Sequence, residues 1–474
     1  MAALTIDCNA SIEPPAPFVP PTVTEADGFR AAATEGTAKL SAGPILGDIT
    51  AASVAVWIRA DRAAPWHVTV WPDKQAKKKR VLDGPAPIQE HDFTATLRVT
   101  ELTPSTKYNY QVELGEGKAA VKLPAKTFHT SAALGTAGKL RIAFGSAIGS
   151  DGELGIFTQI NDVKPDLLML IGDQIYGDAL KANFGAYANK YEHNWGITQL
   201  NELMQWVPTY VMWDDHDIKD KYYANSSTKR YVPARLAYDL YAQSFNPPPL
   251  QENELHYQFF VGDVSFFVLD VRSHRANPKL EDGPLKTMLG QTQKDDLARF
   301  LKCGPGKIKV IVTPVMFSKY AGGGDSWSTY KAERDQLIAF LEHEKVDNVI
   351  MLSGDQHWTA VVRHDHKKTR FYEFEATPLT KGVGKASTDD TKDILARDDD
   401  NNVFGVVDID TTVTPATIAF TACASGKPCK PGEEKAPTTG LDVQGDQENV
   451  PFTIKITEED IGPKEKTEEP KPKK

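Results

Sequence analysis

Acidic side chains follow three short apolar runs of this sequence, either directly or after one or two small residues. Carboxylate oxygens, with a phenol or an imidazole nearby, are the ligands that hard and borderline cations need. The carboxylates are Asp173, Asp214, Asp215 and Asp355, the neighbouring phenol and imidazoles are Tyr176, His216 and His357, and the runs are Leu167–Ile171, Tyr210–Trp213 and Val349–Leu352. If each run is a strand of an open sheet, its carboxyl end is where a ligand binds.

Placing these carboxylates close together without a cation would cost free energy. Several buried carboxylates placed together repel one another and lose their hydration, which shifts their pKa values by several units. A metal site removes both costs, so we predict one. For any single residue of the set, the alternative is an aspartate that caps the helix or turn after its strand. Asp214 and Asp217 are interpreted as residues that support the ligands or bind calcium themselves.

The elements that must position these residues belong to an α/β domain, which we place at residues 139–422. In it, short apolar strands that end in polar residues alternate with helical segments. The predicted strands are Leu140–Phe144, Leu167–Ile171, Tyr210–Trp213, Val264–Val271, Ile308–Thr313 and Val349–Leu352. The predicted helices are Val232–Phe245, Gln291–Leu301 and Lys331–Glu342.

The segments on either side differ in pattern. Residues 39–132 alternate apolar and polar side chains, which predicts a small antiparallel β-sandwich. In it, Leu102 followed by Tyr108 and Tyr110 resembles the strand-turn-strand of a fibronectin type III domain with its tyrosine corner. Residues 1–38 form a proline-rich extension, extended along the surface or mobile. Residues 423–474 form a C-terminal extension, which we predict to be a largely disordered tail from about residue 430.

Composition restricts the partners. The 474 residues carry 54 Lys and Arg against 64 Asp and Glu, a formal net charge of −10. This balance disfavours a surface that follows a phosphate backbone, so we expect a small substrate and no stable nucleic-acid partner. No apolar run approaches the length of a membrane span. The first residues lack a signal peptide, so we expect a cytoplasmic protein, or a secreted one if a leader was removed. A monomer and a homo-oligomer both remain open.

The four cysteines are too few for a disulfide framework. Cys8 and Cys303 look solitary, whereas Cys423 and Cys429 are six positions apart across Gly and Pro. That spacing allows a local disulfide, but two reduced loop thiols are the default interpretation.

As a set, the motifs resemble those of the alkaline phosphatase D (PhoD-like) family of the metallophosphoesterase superfamily. They are, in chain order, Gly-Asp-x-x-Tyr ending at Tyr176, Trp-Asp-Asp-His-Asp ending at Asp217, and Ser-Gly-Asp-x-His ending at His357. A Leu-Asp-x-Arg segment ending at Arg272 and the segment Asp325–Arg334 are also similar to the family pattern. The resemblance covers about residues 40–420.

The resemblance implies a four-layer αββα domain that hydrolyses phosphoesters at a centre of two or three metal ions. The ions would be calcium and/or iron, with other divalent ions possible. Asp173 would bridge the metals, Tyr176 would bind iron as a phenolate, and Asp355 and His357 would form the last pair of ligands. Asp215 would stand where other branches of the superfamily use asparagine. His216 would give a proton to the leaving alkoxide or orient the phosphate; the alternative is a structural histidine held by a neighbouring aspartate.

The sequence departs from the family at its first motif. The family has Phe-x-Ser-Cys, where the cysteine binds iron, but this chain has Ala147 at that position. Three interpretations remain: a natural variant that uses calcium or another hard cation, an introduced substitution, or a degenerate member that binds without turnover. We expect a metal-dependent phosphodiesterase or phosphomonoesterase that uses a metal-activated water. The alternative is a catalytically impaired or non-catalytic protein that binds metal or phosphate. A nuclease is disfavoured by the acidic balance.

Overall fold

A computed structural model describes residues 6, 8, 15–149, 152–321, 324–386, 393–431, 442–444 and 451–463 of the chain. The first eight strands are β1 (Leu40–Gly47), β2 (Val54–Ala60), β3 (Trp66–Pro72), β4 (Arg80–Asp83), β5 (Thr94–Val99), β6 (Lys107–Leu114), β7 (Val121–Lys122) and β8 (Lys126–His129). They form two antiparallel sheets, one in the order β1-β2-β5 and one in the order β4-β3-β6-β7, with β8 also paired to β6.

The two sheets bury a common core, so the predicted β-sandwich is present. Val54 and Val56 of β2 and Val68 of β3 belong to the same buried cluster. The Tyr108 hydroxyl accepts a hydrogen bond from the Thr103 backbone N at 3.0 Å, which is the contact expected of a tyrosine corner. Membership of the fibronectin type III class stays a prediction.

Within the described residues, two larger sheets and six α-helices follow. The strands are β9 (Lys139–Gly145), β10 (Leu167–Ile171), β11 (Thr209–Met212), β12 (Tyr257–Val261), β13 (Val264–Val268), β14 (Ile308–Val315), β15 (Val349–Gly354), β16 (Thr359–Asp365), β17 (Thr369–Glu375), β18 (Ile394–Asp398), β19 (Val403–Asp410), β20 (Thr417–Ala424), β21 (Asp442–Gln444), β22 (Phe452–Thr457) and β23 (Gly462–Pro463). The helices are α1 (Gly155–Asp162), α2 (Phe184–Trp195), α3 (Thr198–Met204), α4 (Thr228–Tyr241), α5 (Gly290–Cys303) and α6 (Lys331–Glu344).

The first large sheet has the order β11-β10-β9-β19-β20-β22-β21, and the second has the order β12-β13-β14-β15-β17-β16-β18, with β23 on β17. Strands β9, β10 and β11 run parallel to one another, as do β13, β14, β15 and β17. The carboxyl ends of these parallel strands carry the loops discussed below.

Alternating side chains explain how the layers stack. Leu167 and Met169 of β10 enter a core shared with Val310 of β14, whereas Leu168 and Leu170 of β10 pack against α1–α4. On the second sheet, the opposite face packs against α5 and α6. The result is a mixed α/β fold in which two sheets face each other between helices, as expected from period-two strands buried on both faces.

The C-terminal segment corrects one prediction. We expected a disordered tail from about residue 430, but Phe452–Thr457 forms β22 and pairs with β20, and β23 pairs with β17. The physical reason is the alternation of Phe452, Ile454 and Ile456, which gives this short stretch a buried face within an otherwise charged composition. The described tail residues also include β21, which pairs with β22, and the tail residues at 432–441, 445–450 and 464–474 lie outside the described ranges.

The cysteines correct a second prediction, the one about their pairing. Cys8 and Cys303 are joined in a disulfide across 295 positions, although each looks solitary in the sequence. Cys423 and Cys429 are also joined, so the default of two reduced thiols is wrong. Pairing over such a separation depends on tertiary structure and has no local signal in the sequence.

The N-terminal segment lies against both domains. Val23 is fully buried. Arg30 contacts Asp92 of the sandwich together with Glu192 and Tyr241 on the helices of the larger domain. No helix within the described residues is long and apolar enough to cross a membrane.

Candidate metal centre

The loops after β10 and β11 of the first large sheet meet the loop after β15 of the second. They bring together Asp173, Asp214, Asp215 and Asp355, each of which offers one carboxylate oxygen within 4.8 Å of the others. His216 also lies within this distance of Asp173 and Asp215. Four ligands predicted from strand-end motifs therefore occupy one site.

The backbone at these loops is held in an unusual conformation. Asp173, Asp355 and His357 have φ values of 55°, 75° and 58°, in the left-handed region that non-glycine residues seldom adopt. Such conformations cluster at functional sites, where the surrounding structure maintains them. The glycine before Asp173 is needed for close approach, because a Cβ on Gly172 would lie 2.7 Å from the Asp214 Cβ.

Three of the carboxylate oxygens are buried without a hydrogen-bond donor among the described residues. They are Asp173 Oδ1, Asp214 Oδ2 and Asp215 Oδ1. A buried carboxylate oxygen without a donor is costly, and a bound cation is the partner that would remove this cost at several such oxygens at once. The donor set therefore fits metal ions.

The pKa values reflect this crowding. Burial and the charges of the neighbouring carboxylates raise the pKa values of Asp173 and Asp355 well above their usual range. Burial also raises the pKa of Asp214, to about 6. Burial would raise the pKa of Asp215 too, but Arg272 and His216 outweigh it and hold that pKa below the usual value.

Tyr176 and His357 border the same cluster. The Tyr176 hydroxyl lies 3.3 Å from His357 Nε2 and 3.5 Å from Asp173 Oδ2. His357 Nδ1 donates to the Gly382 carbonyl at 2.6 Å, which leaves the Nε2 lone pair facing Tyr176. A histidine held in this way by a backbone carbonyl is typical of a metal ligand. Burial lowers the pKa of His357, which favours the neutral imidazole that a metal binds.

His216 has a partner that the sequence analysis missed. Its Nδ1 lies 2.7 Å from Asp178 Oδ2. Burial lowers the pKa of His216, but the hydrogen bond to Asp178 and the charge of Asp215 outweigh burial and raise it to about 9. Asp178 directly follows the Gly-Asp-x-x-Tyr motif by one glycine, so its place in the sequence was a signal that could have been used.

Arg272 is the second missed residue. It is fully buried, and its guanidinium donates to Asp214, lies 3.4 Å from Asp215 Oδ1 and donates to Asp325 at 3.0 Å. Asp325 also pairs with Arg275 at 2.7 Å. This network holds the carboxylate pair after β11 in place. Arg272 and Asp325 both lie in segments that resemble the family pattern, but the sequence alone indicates no role for either.

Asp217 is buried like the candidate ligands, but both of its carboxylate oxygens already accept hydrogen bonds. It accepts hydrogen bonds from the backbone N of Asp214 at 2.8 Å, of Ile175 at 3.2 Å and of Gln174 at 3.4 Å, and from the Tyr191 hydroxyl at 2.9 Å. It therefore ties the loop after β10 to the loop after β11. Of the two interpretations given for Asp217, a residue that supports the ligands or one that binds calcium, these hydrogen bonds favour support.

Ala147 lies beside the cluster and is fully buried. Its backbone N donates to the Gly172 carbonyl at 3.3 Å, and its carbonyl accepts from the Thr380 backbone N at 3.2 Å. The next residue, Ile148, donates its N–H to the Asp173 carbonyl at 2.9 Å. A methyl group thus stands next to the Asp173 turn, where the related motif has a thiol.

Sequence and structure comparisons point in one direction. Residues 142–420 match the profile of the PhoD-like phosphatase family, and residues 37–133 match that of a domain of unknown function, DUF7800. Alkaline phosphatase D of Bacillus subtilis (strain 168) is 27% identical over 355 residues, which are 62% of this chain and 59% of that protein, so the match spans less than two thirds of the relative.

Two solved structures share the fold. The structure of PhoD superposes with a TM-score of 0.70 at 22% identity and covers 83% of this chain and 92% of its own. The purple acid phosphatase PPD1 from yellow lupin (Lupinus luteus) seeds gives a TM-score of 0.59 at 14% identity, with 81% and 72% covered.

Proposed function

Because the chain belongs to the PhoD-like phosphatase family, we propose that it is a metal-dependent phosphoester hydrolase. Its ligands would be Asp173, Tyr176, Asp214, Asp215, Asp355 and His357, and its ions would be calcium and/or iron. We assign this chemistry to residues 139–422 and treat residues 39–132 as a fibronectin III-like β-sandwich attached to them.

One observation carries the proposal. Asp173, Asp214 and Asp215 each bury an oxygen that no described residue supplies with a hydrogen bond, and the three residues belong to one cluster of carboxylates. When bound, cations supply positive charge for the phosphoryl oxygens and acidify the attacking water. An acidic chain can then bind an anionic substrate, because bound cations would offset the four clustered carboxylates of Asp173, Asp214, Asp215 and Asp355.

His216 is the proton donor in this scheme. Hydrolysis replaces the P–O bond to the alcohol with a P–O bond to the oxygen of water, so the departing alkoxide needs a proton. Asp178 holds the Nδ1 of His216, which leaves Nε2 to donate that proton, and the same carboxylate stabilises the imidazolium before transfer. Asp215 would act with His216 as both a metal ligand and a neighbour that favours the charged imidazole.

The test replaces Asp355 with alanine and measures the hydrolysis of a phosphodiester and a phosphomonoester together with metal content. We expect activity on both substrates to fall by about 100-fold or more and bound metal to decrease. Asp335→Ala is the matched control, since that carboxylate is exposed on α6. Unchanged rates on both substrates would refute the assignment.

A second candidate is a non-catalytic protein that binds metal or phosphate. Ala147 favours it, because the buried methyl group removes an anionic ligand from the first motif. Elemental analysis separates the two candidates: two or more equivalents of tightly held metal, together with turnover, exclude the non-catalytic one.

We propose a small phosphoester as the substrate and no stable nucleic-acid partner. The net charge of −10 supports this, since binding along a nucleic acid depends on Lys and Arg that neutralise successive phosphates. Strong, salt-dependent binding to single-stranded DNA would instead favour a nuclease.

A further inference from the structure

Lys381 lies at the edge of the candidate metal centre, in the loop that follows β17. Its Nζ is 4.2 Å from the centroid of the Tyr176 ring. The hydroxyl of that same ring lies 3.5 Å from Asp173 Oδ2 and 3.3 Å from His357 Nε2. The ammonium group therefore lies against a ring whose hydroxyl borders the carboxylate cluster.

The backbone on both sides of Lys381 is attached to the site. The preceding residue, Thr380, donates its N–H to the Ala147 carbonyl at 3.2 Å and its hydroxyl to the Gly149 carbonyl at 2.7 Å. The carbonyl of the next residue, Gly382, accepts the hydrogen bond from His357 Nδ1. These contacts fix where the lysine side chain leaves the backbone, so its position does not depend on a free loop.

Among the described residues, Lys381 has no carboxylate partner, unlike the other cationic groups around the cluster. Arg272 and Arg275 are paired with carboxylates, and His216 is paired with Asp178. Within the part of the chain that the structure describes, Lys381 forms no salt bridge, and its side chain is only partly buried. A partly exposed ammonium without an anion, held beside a site for phosphoryl groups, is suited to contact the substrate.

We propose that Lys381 binds a non-bridging oxygen of the substrate's phosphoryl group and thereby favours phosphomonoesters over phosphodiesters. This inference rests on the proposed function. A phosphomonoester carries close to two negative charges near neutral pH because its second pKa is about 6, whereas a phosphodiester carries one. The attraction of a fixed cation grows with the charge of its partner, so Lys381 adds more to the binding of the monoester. A diester also replaces one charged oxygen with an ester group, which removes an acceptor for the ammonium.

The test compares Lys381→Gln with the wild type on p-nitrophenyl phosphate and bis(p-nitrophenyl) phosphate. We expect kcat/KM for the monoester to fall by at least about tenfold more than kcat/KM for the diester, the size of one charge-assisted contact. Much of the loss should appear in KM, and the inhibition constant of inorganic phosphate should rise in parallel. Lys381→Arg should recover part of the preference, because it keeps the charge.

Lys385→Gln is the matched control. It removes the same charge from the same loop, but Lys385 is exposed and paired with Asp399 and Asp400. Its ratio of monoester to diester activity should equal that of the wild type. Equal losses on both substrates in Lys381→Gln, or the same change in the control, would overturn the inference while leaving the hydrolase assignment intact. A wild type that hydrolyses neither substrate would refute the proposed function, and the role of Lys381 with it.

Discussion

Asp173 and Asp217 are both buried carboxylates near strand ends, but they differ in the donors around them. Asp217 accepts four hydrogen bonds, whereas Asp173 Oδ1 accepts none from the described residues. A carboxylate that is saturated with N–H and O–H donors has little capacity left for a cation, and one that is deprived of them needs a cation most. This difference in donors separates the candidate ligands from the residues that hold the loops.

Replacing Asp173 with asparagine should have opposite effects on stability and on activity. Burial and the neighbouring carboxylates raise the pKa of Asp173, so its ionised form disfavours the metal-free fold. We expect the variant to stabilise the metal-free protein near neutral pH while reducing hydrolysis by about 100-fold or more. Chemical unfolding of the chelator-treated protein, with metal content and activity measured separately, checks both.

The pH dependence provides the control for this prediction. Because the folded pKa is raised, the penalty from Asp173 is absent below the unfolded pKa of about 3.9 and grows as pH rises through the folded pKa. The stability advantage of Asp173→Asn should therefore disappear as pH falls to about 4. A metal-free variant that is less stable than the wild type at neutral pH would show that these carboxylates do not repel one another.

Ala147→Cys should increase the iron bound per chain. Residue 147 is buried beside the Asp173 turn, so a thiol there would lie next to the ligands and supply a soft anion. Elemental analysis of protein expressed with iron checks the prediction, and Ala147→Ser is the control, because a neutral hydroxyl of similar size is a poorer ligand. Unchanged iron content would show that residue 147 is not the first-motif position.

The motifs identify the candidate ligands from sequence alone, because each follows an apolar strand at short range, and Asp178 lies close enough to the first of them to be found in the same way. Arg272 and Lys381 could not be assigned from the sequence. Arg272 reaches Asp214 across 58 positions, a contact that depends on β11 and β13 lying in facing sheets. Lys381 is one lysine among many, and only the fold places it over Tyr176.

At the scale of elements, Asp217 is the residue that joins two loops and a helix. Asp217→Asn should reduce kcat/KM by roughly 10–100-fold, since it weakens the bonds that place Asp214 and the turn after β10. Tyr191→Phe removes one of the four donors without changing the charge, so its loss should be smaller. Steady-state kinetics and thermal unfolding of both variants check this order; equal activity in Asp217→Asn and the wild type would contradict it.

A cluster of charged groups joins the loop before β12, the loop after β13 and helix α5. His256 is fully buried, with Nε2 3.0 Å from Asp296 and Nδ1 3.6 Å from Glu254, and His274 Nε2 lies 2.9 Å from Glu254. The hydrogen bond to Glu254 raises the pKa of His274. Burial lowers the pKa of His256, but Asp296 and Glu254 outweigh it and raise that pKa. Burial would raise the pKa of Glu254, but its two histidine partners lower it to about 2.

These shifts predict how stability depends on pH. The stabilisation from each histidine is complete below the unfolded pKa of about 6.5 and is lost as pH rises through the raised folded pKa. His274→Gln should therefore reduce the decrease in Tm between pH 6 and pH 9 by roughly 1–2 °C relative to the wild type. The comparison uses the difference between the two proteins, because other groups titrate in both. An identical slope in both proteins would contradict the prediction.

Strands were easier to predict than helices. The six predicted strands correspond to β9, β10, β11, β13, β14 and β15, because each is a compact apolar run. Helices α4, α5 and α6 were predicted with shifted ends, whereas α1, α2 and α3 were not predicted. The buried face of α2 includes Tyr187, Ala188, Tyr191 and Asn194, and such weakly apolar or polar side chains give a weaker hydrophobic period than Leu, Ile or Val would. Strand β22 was missed because its apolar alternation is short and lies within a charged segment.

At the scale of the whole molecule, the disulfide between Cys8 and Cys303 connects the N-terminal segment to the end of α5. Cys8→Ser should lower the free energy of unfolding by about 2–5 kcal/mol, because the bond restricts the unfolded chain over a long loop. Cys423→Ser opens a bond of only six positions and should cost less. Peptide mapping and thermal unfolding without reductant check both; alkylation of Cys8 and Cys303 in unreduced protein would contradict the assignment.

Strand β19 pairs antiparallel with β9, and Gly405 lies opposite Phe144. The parallel strands of the same sheet, β9, β10 and β11, come much earlier in the chain. During synthesis on the ribosome, the sandwich is complete well before β19 is made. At ordinary synthesis rates, β19 is made on the order of 10–50 s after β9. During that interval one edge of β9 presents unpaired backbone groups, as any edge strand does. The motifs that end at Tyr176 and Asp217 also exist before Asp355 and His357 are synthesised. A complete set of candidate ligands is therefore a late event in the production of this protein.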